Sequence, residues 1–332
     1  MLEVLLPMVT VPFGTFSKAF VSTLAFFFVA ANSAQVSVTP RANREPISGS
    51  SIPPEATLRV EVRLVMIPVQ VTNRWGTAVR GLNREDFQLF EDGIEQKITH
   101  FSQKDSPISV GFLLDSSNSM KDKMRQAVEA GGEFLRMSNG EDEFFVVHFG
   151  ERPKLAVPLT NDERVRSGFV RARPLGRTSL LDAIEMSLTQ MKRVNHTRKA
   201  IIILSDGGDN HSTATESRVK KAIREADVQI YSVGIFDRNE SSKRPTEERN
   251  GPALLAELAG ETGGRYFSVD AIDDLSGICA RIGAELREQY LLGYSPTNSA
   301  LDGKYRRVRV VVPAHGSAVT VNHRAGYYGP AN

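Results

Sequence analysis

The stretch Ile108-Ser109-Val110-Gly111-Phe112-Leu113-Leu114-Asp115-Ser116-Ser117-Asn118-Ser119-Met120 decides the fold. It begins with a mainly apolar run that does not alternate, a pattern typical of a strand covered on both faces. The run ends in a carboxylate followed by hydroxyl groups and an amide, so polar groups collect at the carboxyl end of this strand. In open α/β sheets, ligands bind in the crevice at that end.

Strands and helices alternate from residue 107 to about residue 286, which predicts an α/β fold with a doubly wound, mostly parallel sheet and helices on both faces. Apolar residues recur at helical spacing after the opening stretch and predict a helix over 120–136. The strand over 154–158 follows its neighbour through a short connection and is predicted to be an antiparallel edge strand. The other predicted strands are 108–115, 144–149, 200–205, 228–235 and 264–269.

Shorter β segments flank this α/β region. Residues 57–105 and residues 288–332 each contain alternating or apolar runs separated by turn signals such as Asp92-Gly93 and Asp302-Gly303. Two such segments would each be marginally stable alone. We therefore expect residues 288–332 to pair with residues 57–105 in one small antiparallel β domain beside the α/β domain of residues 106–287.

The N-terminal residues bear on location. An apolar run over 19–31 follows Lys18, and small residues continue through Ala34, a pattern typical of a signal peptide within residues 1–34. Residues 2–16 are also rather apolar, so an uncleaved N-terminal anchor is the alternative. Residues 35–56 are rich in Pro and Ser and are predicted to be a linker. We expect an exported protein that is periplasmic, secreted or associated with the cell envelope, and that contacts a membrane only through this segment.

Composition excludes one class of partner. The 41 basic and 39 acidic side chains are spread through the sequence and leave a net charge of +2, so no basic surface for nucleic acid stands out. The single cysteine, Cys279, cannot form an internal disulfide. It lies in an apolar helical pattern, which predicts a buried, inert thiol.

A second carboxylate, Asp206, follows the predicted strand 200–205. If the two strands run parallel, Asp115 and Asp206 emerge at the same edge of the sheet, and Thr178 adds a hydroxyl from another loop at that edge. Carboxylates with hydroxyls, and without His or Cys, suit Mg²⁺, Mn²⁺ or Ca²⁺ rather than Zn²⁺. With neutral hydroxyls in the first shell, such a cation would keep an open position where a carboxylate from another molecule could bind.

Each element also has a simpler interpretation. Ser117 and Ser119 could cap the helix that follows them, and Thr178 or Ser179 could cap the helix that begins there. The residues after Asp206 could form only a turn. The conjunction of all three elements at one edge favours a metal site over caps and turns.

The same residues resemble a known family. The segment 115–119 matches the Asp-x-Ser-x-Ser signature of von Willebrand factor type A domains, and Thr178 and the strand end 204–207 match its two further elements in the expected order. The resemblance covers roughly residues 106–287. The flanking segments further resemble bacterial exported proteins of a von Willebrand factor A-related type. This resemblance implies a Rossmann-like domain with a metal-ion-dependent adhesion site.

The resemblance also implies the roles of individual residues. The hydroxyl ligands would be Ser117, Ser119 and Thr178, and the carboxylates acting directly or through water would be Asp115 and Asp206. Asn118 stands where Gly is common, and Arg177 stands where a second Gly is frequent, so the Arg177 cation would weaken metal affinity or contact an acidic ligand. The residues expected around the metal or at the partner contact are Asn118, Arg177, Asp209 and His211.

These observations predict an exported recognition module, not an enzyme, that holds Mg²⁺, or else Mn²⁺ or Ca²⁺, and binds an acidic side chain of a protein partner. One alternative is a metal-assisted hydrolase of phosphate or ester bonds, in which Asp115 and Asp206 hold the cation. That alternative requires a general base, and the sequence shows no convincing one near the motif. The other alternative is a scaffold with a vestigial metal site.

Overall fold

The computed structural model describes residues 63–162, 164–170, 176–206, 208–235, 250–269 and 271–331, which lie in one unit of the chain, Arg59–Asn332. The predicted signal peptide or anchor and the predicted linker lie outside the described residues. The strands are β1 (Val65–Asn73), β2 (Gln88–Glu91), β3 (Ile94–Gln96), β4 (Ile98–Ser102), β5 (Ile108–Asp115), β6 (Glu143–Phe149), β7 (Lys154–Thr160), β8 (Arg198–Ser205), β9 (Gln229–Ile235), β10 (Tyr266–Val269), β11 (Tyr290–Tyr294), β12 (Tyr305–Val311), β13 (Val319–His323) and β14 (Gly326–Tyr328). The α-helices are α1 (Met124–Arg136), α2 (Arg164–Val170), α3 (Leu180–Met191), α4 (Glu216–Glu225), α5 (Gly251–Glu261) and α6 (Leu275–Arg287).

Strand β5 lies inside a six-stranded sheet with the order β10-β9-β8-β5-β6-β7. All eight residues of β5 are buried, as its unbroken apolar run predicts. The strands are parallel except β7, which pairs antiparallel with β6 at the edge, as predicted. Within β5, Gly111 is required by packing, because a Cβ atom there would lie 2.2 Å from the ring of Phe145.

Helices cover both faces of this sheet. On one face, Val110, Phe112 and Leu114 of β5 share a core with apolar residues of α1, α2 and α6. On the other face, Leu113 shares a core with residues of α3, α4 and α5. Each fully buried Leu or Phe contributes roughly 1.5–3 kcal/mol of hydrophobic free energy. The predicted fold class, a doubly wound and mostly parallel α/β sheet flanked by antiparallel β structure, is therefore confirmed.

The flanking strands form two four-stranded antiparallel sheets, ordered β13-β1-β11-β4 and β14-β12-β2-β3. Strands from residues 57–105 pair with strands from residues 288–332 in both sheets. Their apolar residues share one core, with Ile67, Leu89, Tyr290 and Val310 among its members. The domain limits at residues 105 and 287 remain our proposal.

In the first of these sheets, β11 lies between β1 and β4, an order that the sequence pattern does not specify. One element differs from its prediction. The predicted helix 120–136 begins only at Met124; before it, Asn118–Met120 form a short 3-10 turn. The backbone N–H of Asn118 donates to the Gly176 carbonyl, which holds this turn against a neighbouring loop instead of in the helix. Among the described residues, no helix is long and apolar enough to cross a membrane.

Candidate metal site

Asp115 ends β5 and is fully buried. Its Oδ1 accepts a hydrogen bond from the Ser117 backbone N–H at 2.8 Å, and its Oδ2 accepts one from the Ser205 hydroxyl at 2.6 Å. Ser205 ends the adjacent parallel strand β8. The Asp115 carboxylate is therefore held between the end of β5 and the end of β8.

A chain of oxygen atoms runs from the β5 loop to Asp206. Ser117 Oγ and Ser119 Oγ lie 3.0 Å apart, and the Ser119 hydroxyl donates to Asp206 Oδ1 at 2.9 Å. Asp206 directly follows β8 and is only 3% exposed. The loops after β5 and β8 are thus joined through side-chain oxygens at the carboxyl edge of the sheet.

Thr178 comes from a third loop at this edge. Its backbone N–H donates to Asn210 Oδ1 at 2.9 Å, and its carbonyl accepts from the backbone N–H groups of Asn210 and His211. Gly176, at the start of this loop, has a φ of 78°, a conformation that favours glycine. The Thr178 loop is therefore bound to the loop that follows Asp206 and, through the Gly176 carbonyl, to the loop that follows Asp115.

The hydroxyls in this region do not act as helix caps. Ser117 is the N-cap residue of the 3-10 turn, but its hydroxyl lies against that of Ser119. Ser179 is the N-cap residue of α3, but its hydroxyl donates to the Gly150 carbonyl at 2.8 Å. The N-cap of α1 is Lys123. Capping therefore does not account for the serines, which removes one support for the simpler interpretation.

The ammonium group of Lys123 contacts this group of oxygen atoms. Lys123 Nζ lies 2.9 Å from Asp206 Oδ2 and also donates to the Ile235 carbonyl, at the end of β9, at 3.1 Å. Burial, and secondly the charge of Asp206, raise the pKa of Asp115 to about 6. The hydrogen bonds from Ser205 and Ser117 oppose this rise. The described carboxylates of this edge thus repel each other in a region of low solvent access.

The four residues predicted around the metal or at the partner contact have different positions. Asn118 and Arg177 are exposed, and His211 is exposed with its backbone N–H bound to the Thr178 carbonyl. The half-buried Asp209 carboxylate accepts hydrogen bonds from the backbone N–H of Leu181, at the start of α3, and from Ser212, in the loop before α4. Burial raises the pKa of Asp209. The Asp209 carboxylate therefore links its own loop to the start of α3.

Comparison with known proteins identifies the central region. The family model of the von Willebrand factor type A domain matches residues 110–208, which contain β5, β8 and the loops that carry Asp115, Thr178 and Asp206. This chain carries a von Willebrand factor type A domain. The resemblance that the sequence motifs indicated is therefore confirmed for this region.

Two curated relatives and one solved structure are similar to the chain. An uncharacterized protein of Borreliella burgdorferi is 25% identical over 200 residues, which are 55% of this chain and 58% of that protein. Inter-alpha-trypsin inhibitor heavy chain H4 of Sus scrofa is 30% identical over 132 residues, 36% of this chain and 14% of that protein. The chain thus spans 58% and 14% of the lengths of these relatives. A von Willebrand factor type A structure from Catenulispora acidiphila has a TM-score of 0.46 at 13% identity, covering 82% of this chain and 74% of that one.

The chemistry of the donor set in this von Willebrand factor type A domain fits a hard divalent cation. Around an octahedral cation with oxygen ligands at about 2.0–2.1 Å, neighbouring ligand oxygens are about 2.9 Å apart. The Ser117–Ser119 and Ser119–Asp206 oxygen pairs are joined by hydrogen bonds of 3.0 and 2.9 Å, so the same oxygens could bind such a cation without moving apart. In the part of the chain that the structure describes, no group of three or more His, Cys, Asp or Glu side chains could hold a metal. A cation in the described region would therefore depend on hydroxyl ligands.

Sequence reasoning missed three groups of the site. The sequence pattern places Ser205 at a strand end and Asn210 in the turn after Asp206 and gives neither a role at the site, although both orient the predicted ligand residues. Lys123 was overlooked. Its signal was a lysine at the start of a helix, where the helix dipole disfavours a cation, so an acidic partner was to be expected there.

Proposed function

We propose that this protein is an exported recognition module that holds a divalent cation, Mg²⁺ in the first instance, and binds an acidic side chain of a protein partner. The hydroxyls of Ser117, Ser119 and Thr178 would be direct ligands, and Asp115 and Asp206 would act directly or through water. Mn²⁺ and Ca²⁺ are the alternative cations, since both accept oxygen ligands of this kind.

One observation carries this proposal. The loops after β5 and β8 are joined by Ser119 and Asp206, and the Thr178 loop is bound to both through backbone and amide contacts. Three loops far apart in sequence thus bring hydroxyl and carboxylate oxygens to one edge of the sheet. Because these hydroxyls are not spent on helix caps, they are available as ligands.

The donor set explains why an acidic partner is expected. The only charged ligands proposed here are two carboxylates, since the hydroxyl ligands are neutral. One of these carboxylates, Asp206, also pairs with the positive charge of Lys123, so a divalent cation would not be fully neutralised. A cation that keeps part of its charge attracts a further anionic oxygen. The exposed positions of Ser119, Asn118 and Arg177 leave this edge accessible to a partner.

We propose binding rather than catalysis as the role of the site. The hydrolase alternative needs a general base that could take a proton from water, and no contact in the described site favours that role for a particular residue. Export rests on the apolar run over 19–31 and its small-residue continuation. The partner is a protein, and neither the charge balance nor the described contacts suggest nucleic acid.

Isothermal titration of Mg²⁺ and of Mn²⁺ into the purified protein tests the proposal. We expect saturable binding of one ion per chain, and a loss of affinity of at least about tenfold in Asp115→Ala and in Ser117→Ala. Ser299→Ala, which removes an exposed hydroxyl in the flanking β structure, is the control and keeps the affinity of the unmodified protein. Absence of both binding heat and thermal stabilisation at millimolar cation would refute the metal site.

A further inference from the structure

Lys123 occupies an unusual position for a helix-terminal lysine. It is the N-cap residue of α1, and its side chain is only 17% exposed. The positive end of a helix dipole disfavours a cation there. The side chain nevertheless turns inward, toward Asp206 Oδ2 and the Ile235 carbonyl.

The acidic partner of Lys123 is one of the proposed metal ligands. The Asp206 side chain is 4% exposed, and its other oxygen accepts from the Ser119 hydroxyl. A buried carboxylate requires compensation by a cation or by several hydrogen bonds. Lys123 places its ammonium group at the carboxylate that a divalent cation would also use.

We propose that Lys123 is a built-in counter-ion that competes with the divalent cation for Asp206, lowers the metal affinity of the site and selects an anionic partner. This inference rests on the proposed metal site. Lys123 therefore acts as a residue that determines specificity, not as a ligand.

The charges of the site show why selectivity follows. Asp115 and Asp206 contribute two negative charges when ionised, and Lys123 contributes one positive charge. Counting these three described groups alone, a bound divalent cation leaves a net charge of plus one, which a single partner carboxylate neutralises. Without the lysine charge, the same loaded site would already be neutral and would gain less from an anionic ligand.

The expected effect on affinity is large enough to measure. Lys123 contacts Asp206, so its ammonium group and a cation bound by Asp206 would lie on the two sides of one carboxylate. A unit charge repels a divalent cation at a separation of about 4–5 Å by more than the free energy equivalent to tenfold in affinity, even at effective dielectric constants well above those of a dry protein interior. Removal of the lysine charge should therefore tighten metal binding by at least about tenfold.

The experiment is a titration of Mn²⁺ into the unmodified protein and five variants. Lys123→Met removes the charge and keeps an unbranched side chain, and Lys123→Gln is a second neutral variant should the first fail to fold. Lys123→Arg keeps the charge. Lys121→Met removes an exposed lysine two residues away and is the matched control. Asp115→Ala reports whether the heat arises from the proposed site.

We expect both neutral Lys123 variants to bind Mn²⁺ at least about tenfold more tightly, with Lys123→Arg and Lys121→Met within about twofold of the unmodified protein. Equal or weaker binding in the neutral variants, with binding still lost in Asp115→Ala, would overturn the role of Lys123 and leave the metal site standing. Absence of binding in every protein would instead overturn the proposed function, and this inference with it.

Acetate serves as the probe for anion selection. At constant ionic strength, saturating acetate should tighten Mn²⁺ binding more in the unmodified protein than in Lys123→Met, because only the former has a surplus positive charge when loaded. An equal effect of acetate on both proteins would overturn the selective role of the lysine.

Discussion

Carboxylates are buried at both ends of the central sheet, but they are compensated differently. At the amino ends of the strands, Asp142 is fully buried and pairs with Arg287, and Asp105 contacts both Arg287 and Arg198. At the carboxyl ends, the Lys123 ammonium group contacts Asp206, and the described contacts of Asp115 are with uncharged donors. We refer to Asp105, Asp142, Arg198 and Arg287 as the basal clamp.

The buried charged groups of the basal clamp have several hydrogen-bond partners. Asp142 also accepts from the backbone N–H groups of Ile108 and Asn139, at 3.0 and 2.9 Å, and Arg198 donates to the Leu286 carbonyl near the end of α6. These contacts fix the start of β5 and the end of α6. A carboxylate with this many donors and an arginine partner has a structural role.

The candidate metal site is compensated by other means. The described donors to Asp115 are a hydroxyl and a backbone N–H, and burial raises the pKa of this carboxyl group, whereas Asp206 contacts both a hydroxyl and the Lys123 ammonium group. The comparison teaches that burial of Asp does not by itself indicate function. The distinction lies in the donors: an arginine and two backbone N–H groups surround Asp142, whereas the described donors to Asp115 are uncharged.

The largest effect should come from breaking the basal clamp. Asp142→Ala leaves the Ile108 N–H without its acceptor and Arg287 without its buried partner, so we expect a loss of about 3–5 kcal/mol in the free energy of unfolding. Urea denaturation measures this loss. Asp105→Ala, at a half-exposed position, should cost less than about 1 kcal/mol. Equal losses in the two variants would show that the clamp does not depend on the buried carboxylate.

The next effect concerns the buried charge of Asp115 at the carboxyl end of the sheet. Because the folded-state pKa of Asp115 is about 6 against an ordinary 3.8, its stabilising contribution is complete below pH 3.8 and is lost as pH rises through about 6. Asp115→Asn cannot ionise. In the presence of a chelator, the variant should therefore become more stable than the unmodified protein above pH 6, by an amount on the order of 3 kcal/mol.

Urea denaturation from about pH 4 to about pH 8 tests this expectation. The exposed Asp122, seven residues further along the chain, provides the control, and Asp122→Asn should leave the pH profile unchanged. Parallel profiles for the unmodified protein and Asp115→Asn would mean that the buried charge costs the fold nothing, and the contrast between the two ends would disappear.

The parts of the structure that the sequence predicted are those set by local pattern. The unbroken apolar run of β5 indicates a covered strand, and parallel strands that end in Asp115 and Asp206 must place both residues at one edge. The confirmed fold class follows from such patterns. The site residues, by contrast, remain predictions until a metal is measured.

The parts that the sequence did not predict depend on contacts distant in sequence. Nothing near β1 or β4 specifies that β11 pairs between them, because that order is decided by the shared core of the two antiparallel sheets. The sequence likewise does not predict the direction in which a flexible side chain points. Lys123 has the same neighbours in sequence whether it points to solvent or to Asp206, and Asp209 points to α3 because Leu181 and Ser212 offer donors there.

A smaller effect on stability should come from a single hydrogen bond to Asp115. Ser205→Ala removes the hydroxyl that donates to Asp115 Oδ2, and we expect a loss of about 1.5–2 kcal/mol when that carboxylate is ionised. The matched control is Ser187→Ala in α3, since Ser187 is also fully buried and donates to a neutral carbonyl, that of Ala183, at 2.8 Å.

The pH dependence of this loss separates a bond to a charge from an ordinary buried hydrogen bond. With a chelator present, the cost of Ser205→Ala should be larger at about pH 8, where Asp115 is ionised, than at about pH 5, where it is mostly protonated. The cost of Ser187→Ala should be the same at both. If Ser205→Ala shows no such dependence, the Ser205 hydroxyl holds the strand end without stabilising the Asp115 charge, and that charge would depend on the Ser117 backbone N–H and on an added cation.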